Sequence, residues 1–116
     1  MINIYQYKLN SNITSEQLRN NNFKYVDGYY MYRFPVYKYK KETMLWGILY
    51  INLETKTCDI TVVNNSYCTY AAYHNRLYGS NNKVIRTIDK KVKAQLALFL
   101  KKELLIEKNK KDLKGE

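Results

Sequence analysis

Apolar positions recur with period two through the middle of this chain and with a helical period towards its end. From residue 29 to residue 40, Tyr30, Tyr32, Phe34 and Val36 share one face, while Met31, Arg33, Pro35 and Tyr37 share the other. That alternation predicts a strand. Pro35 has no N–H for a ladder, so the strand is expected at a sheet edge or bulged at this residue. Lys38, Lys40 and Lys41 follow and read as charges guarding an edge. Residues 43–53 are nearly all apolar, which predicts a central strand covered on both faces. After a polar turn at 54–57, Cys58, Ile60 and Val62 alternate with Asp59, Thr61 and Val63, giving a third strand that hairpins with the second.

Residues 1–8 predict a short strand. Thr14 with Gln17 three residues on makes a capping box. It opens a short helix anchored by Ile13 and Leu18, and Asn20, Asn21 and Asn22 suit its left-handed close. Phe23 to Val26 is expected to be extended, with Asp27-Gly28 as a turn. Ser66 is placed to cap a helix running to Tyr78 and closed by Gly79, with Tyr70, Tyr73 and Leu77 on one face; a tyrosine-rich loop fits the same residues. Thr87 is expected to open the last helix. Its stripe of Ile88, Val92, Leu96, Phe99, Leu100 and Leu104 carries it to about Ile106. The expected fold is α+β: a small antiparallel sheet of three to four strands, a short N-terminal helix and a long C-terminal helix packed on one face. The pattern leaves open which face that is. Residues 1–109 are expected to form one domain and 110–116 a basic solvated tail.

Composition changes this picture in one respect. The chain has 116 residues, a net charge of +10 and thirteen tyrosines, seven of them from Tyr25 to Tyr50. Residues 1–43 carry +4, 44–82 carry zero and 83–116 carry +6, so a neutral centre lies between two basic ends. A tyrosine ring packs like a hydrophobe while its hydroxyl stays wet, and adjacent lysines and arginines meet phosphate or an acidic protein face. Neither a signal-peptide pattern nor an apolar run of spanning length is present, so no membrane is implied, and the two cysteines are expected to be reduced and packed in a cytoplasmic protein.

Candidate chemistry is sparse. One histidine, His74, and Cys68 are the remote basis for an enzyme, but their spacing does not align them on a helix face and no acid orients the imidazole. One histidine and two cysteines are too few for a metal site, and no phosphate loop exists, so no cofactor is implied. The expectation is therefore a protein that is not an enzyme. The aromatic-basic stretch supplies the first contact residues: Tyr29, Tyr32, Arg33, Tyr37, Lys38, Tyr39, Lys40 and Lys41. A second basic face is expected from Lys90, Lys91, Lys93, Lys101 and Lys102.

The run Leu18-Arg-Asn-Asn-Asn-Phe-Lys-Tyr-Val-Asp-Gly-Tyr-Tyr30, the richness in Asn, Lys, Tyr and Ile, and the size resemble small proteins of Gram-positive phages and other mobile elements. The resemblance implies a binding role, as regulator, replication accessory or inhibitor of a host defence nuclease. The expected partner is nucleic acid or an acidic protein surface. A protein-interaction module, including a homodimer, is the alternative.

Overall fold

In the computed structural model the described residues are 2–3, 7–75 and 82–107. They form an α+β fold. The elements in chain order are β1 (Ile2–Asn3), β2 (Tyr7–Leu9), α1 (Ser15–Asn20), β3 (Lys24–Val26), β4 (Tyr29–Tyr39), β5 (Glu42–Asn52), β6 (Thr57–Asn64), α2 (Ala71–Asn75), α3 (Lys83–Lys101) and β7 (Leu105–Glu107). The main sheet is antiparallel in the order β1-β6-β5-β4-β3, with β1 only a two-residue edge; β2 and β7 form a separate two-stranded sheet. The expected N-terminal strand is thus divided between two sheets, and residues 4–6 lie outside the described ones.

Local signals set most boundaries. Gln17 N–H donates to Thr14 Oγ1 (3.2 Å) and Thr14 N–H to Gln17 Oε1 (2.8 Å), completing the capping box of α1. Asn22, at φ 69°, closes that helix: Phe23 N–H donates to Leu18 O and Asn22 N–H to Arg19 O. The same device closes α3, where Glu103 at φ 63° sends Leu104 N–H to Phe99 O and its own N–H to Leu100 O. The last helix therefore stops at Lys101 rather than near Ile106, and Leu104 leads into β7 instead of extending the helical stripe. Its start also differs. Asn82 is the N-cap, its side chain accepting from Ile85 N–H (3.1 Å), and Thr87 lies inside the helix with its hydroxyl donating to Lys83 O. The segment expected as helix from Ser66 is loop as far as Tyr70. Tyr67 has φ 63°, Thr69 bridges Val63, and only Ala71–Asn75 is helical; 76–81 lie outside the described residues.

One core joins both sheets and all three helices. Tyr30, Phe34, Val36, Leu45, Leu49, Ile51, Ile60 and Val62 bury the inner sheet face against Ile85, Ile88, Val92, Leu96 and Phe99 of α3. Leu100, expected in that stripe, is only half-buried. Each fully buried aliphatic side chain contributes roughly 1.5–3 kcal/mol. Leu9, Ile13, Leu18, Phe23, Tyr73, Leu104 and Leu105 complete the cluster. The inner face is so tight at Gly47 that an added Cβ would sit 2.5 Å from Phe34 Cζ. Glycine there lets the ring of its cross-strand partner lie over the backbone.

β5 is covered along its inner face and, around Ile48, on its outer face as well, while Met44 stays exposed. On the outer face Ile48 is buried and Trp46 half-buried beneath the loop that follows β6. Trp46 Nε1 donates to Asn65 Oδ1 (2.8 Å), Asn65 Nδ2 to Thr43 O (3.2 Å) and Arg33 Nη1 to Tyr67 Oη (3.0 Å), which hold that loop down.

Candidate functional site

β4 has a strand neighbour on its outer side only as far as Met31, the partner of Lys24. Beyond that point it lies against α3. The strand is both edge-like and irregular around Pro35, since its register with β5 slips between Pro35 and Lys38. That slip matters for the side chains. It ends the simple alternation, leaving Val36 buried, Tyr37 packed partly on the core and Lys38 exposed.

Between this half of β4 and α3 runs a groove of about 380 Å³, lined by Pro35, Val36, Tyr37, Lys38, Thr87 and Lys91. A second hollow of about 230 Å³ adjoins it through Thr87 and is lined by Lys83, Arg86, Thr87 and Lys90. The helix residues recur at three- and four-residue steps, so they form one stripe beside the buried stripe of Ile85, Ile88 and Val92. Lys38, Lys83, Arg86, Lys90 and Lys91 have no ion-pair partner among the described residues. The helix's own acid, Asp89, is engaged elsewhere, at 2.8 Å from Lys93 Nζ and accepting from Tyr73 Oη at 3.0 Å. Five uncompensated cations around a concave surface raise the local concentration of anions.

The expected contact residues separate into four places. Tyr37 and Lys38 line the groove together with Lys91, and Lys90 lines its neighbour. Tyr39, Lys40 and Lys41 form the tip of the β4–β5 hairpin, so Lys40 and Lys41 are turn residues rather than edge guards. Tyr32 is half-buried on the core side of the sheet, with its ring 5.1 Å from Phe99 and 5.4 Å from Phe23. Tyr29 and Arg33 sit on the outer sheet face. There the Arg33 guanidinium lies 4.2 Å over Trp46, and Tyr29 meets Tyr50 edge-on at 5.9 Å. Burial, with Tyr67 nearby, pushes the Tyr50 hydroxyl above its usual pKa of 10.0. Arg33 is thus occupied by the protein's own rings. Of the second basic set, Lys93 is paired with Asp89, and Lys101 and Lys102 lie exposed at the far end of α3.

Lys83, Arg86 and Thr87 are groove residues that the periodicity missed. Placing the helix start at Thr87 left Lys83 and Arg86 in a loop. Asn82 was the available signal, a good N-cap three residues before Ile85 of the buried stripe.

His74 is structural. Its Nε2 accepts from Val62 N–H at 3.0 Å and lies 3.2 Å from Thr61 Oγ1, filling a position on the open edge of β6. Cys68 is exposed, not packed as expected, and its Sγ lies 3.9 Å from Ser66 O. Burial holds the imidazole below its usual pKa of 6.5, and an Nε2 that accepts a backbone N–H has no room for a second proton. The unfolded chain therefore binds this proton more readily. Its full stability is present above about pH 6.5 and is lost as pH falls below that value towards the folded pKa. Melting temperature should fall from pH 7 to pH 5.5 in the native protein. In His74→Gln, lower throughout, that part of the slope should vanish; an equal slope in both proteins would contradict the role.

Among the described residues no group of three or more His, Cys, Asp or Glu is arranged to hold a metal ion, and no helix is long and apolar enough to cross a membrane. No protein-family model matches the chain, and no curated protein matches it. Among solved structures the chain is similar to a DUF1831 family protein from Lactobacillus plantarum. The two share 13% identity over 88% of this chain and 86% of that one, with a TM-score of 0.62. At that identity the likeness is one of fold alone.

Proposed function

We propose that this is a small, non-enzymatic, cytoplasmic binding protein whose ligand is nucleic acid or the surface of a nucleic-acid-handling complex. One observation carries the reading. Two stretches distant in sequence, Pro35 to Lys38 and Lys83 to Lys91, converge on one groove whose cations lack acidic partners among the described residues. The net charge of +10 acts in the same direction. The resemblance to phage and mobile-element proteins adds a setting in which such a ligand is common.

Anisotropy titrations with single- and double-stranded DNA and RNA at two salt concentrations test it. With five phosphate contacts, affinity should fall roughly 500-fold between about 50 and 200 mM salt, from a slope near −0.9 per contact. Lys38→Glu with Lys91→Glu should weaken binding at least about tenfold at unchanged melting temperature. No binding at 50 mM salt would overturn the nucleic-acid reading.

A protein partner is the second reading, as in an inhibitor of a host defence nuclease or a homodimer. It is favoured by the exposed rings of Tyr25 and Tyr39. Capture from host lysate that survives nuclease treatment would favour it. A clean monomer by light scattering would remove the homodimer.

A further inference from the structure

Two hairpins in this sheet turn on the same backbone with different residues. The β3–β4 turn uses Asp27 at φ 49° and Gly28 at φ 90°, closed by the pair Val26 and Tyr29. The β4–β5 turn uses Lys40 at φ 49° and Lys41 at φ 70°, closed by Tyr39 and Glu42. Two-residue turns with both central residues at positive φ favour Asn-Gly and Asp-Gly. Lysine has a Cβ that crowds this region and no short acceptor to settle it there. Two adjacent like charges add repulsion. The lysine pair therefore works against the turn, and strain of this kind collects where a side chain serves a ligand.

The surroundings say what ligand. Both lysines are exposed, and neither has an ion-pair partner among the described residues. Lys40 Nζ stands 5.5 Å from the centroid of the Tyr39 ring, which is 57% exposed. The tip also continues the strand whose Lys38 lines the basic groove. We infer that Tyr39, Lys40 and Lys41 form a phosphate-contacting prong at the end of the groove, the ammonium groups on the nucleic-acid backbone and the Tyr39 ring against a base or sugar. The prong rests on the groove being a nucleic-acid site. It adds that these turn residues serve binding at the expense of the fold.

The variant Lys40→Asn/Lys41→Gly separates the two roles, because it restores a favoured turn while removing both charges. Its melting temperature should rise by about 4 °C or more. Its affinity for single-stranded and duplex oligonucleotides at 100 mM salt should fall roughly tenfold or more, with the salt slope shallower by about 2. Lys40→Arg/Lys41→Arg, which keeps the charge, should retain affinity within about threefold. An Asn-Gly variant that binds like the parent, while Lys38→Glu/Lys91→Glu binds weakly, would overturn the prong and leave the groove standing. A lower melting temperature in the Asn-Gly variant would overturn the premise that the lysines oppose the turn. If the parent binds no oligonucleotide at 50 mM salt, groove and prong fall together.

Discussion

Phe99→Ala should destabilise the protein by about 3–5 kcal/mol, the usual loss for a buried aromatic. Phe99 is 1% exposed and joins three elements. Its ring lies 5.1 Å from Tyr32 on β4 and 5.4 Å from Phe23 beside α1. These three rings meet at tilted or edge-on angles, so removing one deprives the other two of a packing partner. A loss of that size is a large fraction of the stability of an ordinary domain, about 5–15 kcal/mol. Urea titration measures it. Leu98→Ala is the control, since Leu98 is 42% exposed on the same helix and its loss should cost under about 0.5 kcal/mol. A Phe99→Ala protein with the parent's midpoint would show that α3 does not pack on the sheet through this residue.

Ending the chain after Glu103 should abolish folding. Leu104 is 2% exposed and Leu105 1%, and truncating one such leucine to alanine costs about 2–5 kcal/mol. The cut also removes β7, the partner of β2, and strands the Asn10 N–H, which donates to Leu104 O at 3.1 Å. Ending it after Asn109 spares β7 and should leave the midpoint unchanged. Circular dichroism on both truncations decides the matter. A folded protein ending at Glu103 would mean that β2 and β7 are ornamental.

The contrast between those cuts marks where the sequence stopped being legible. Capping at Thr14, the Asp27-Gly28 turn, the alternation of β4, the apolar run of β5 and the stripe of α3 all speak through local chemistry. β7 does not. Leu104 falls in helical phase with Leu100, and the residue that breaks the helix is Glu103, a type that rarely takes a left-handed conformation. Asn or Gly there would have announced the stop. The candidate site suffered twice from similar gaps. The slip beyond Pro35 ended the alternation, and the N-cap at Asn82 was masked by a run of asparagines. Tyr32 packs towards the core, away from Arg33, for a plainer reason. A ring next to arginine in sequence points to the other face of a strand, so adjacency suggested a shared surface that the pleat forbids.

The closure of β2 by β7 sets a schedule for the ribosome. Asn10 and the Glu103 carbonyl that it binds are 93 residues apart. At about 5–20 residues per second, the N-terminal segment waits roughly 5–20 s for its counterpart to be made. During that interval the β4–β5 and β5–β6 hairpins have formed, because they close locally within microseconds. Their inner face, with Phe34, Leu49 and Ile60, has no α3 to cover it yet. The nascent chain is therefore sticky from the completion of β6 at Asn64 until α3 is made, and slowing translation beyond residue 64 should raise the share that aggregates.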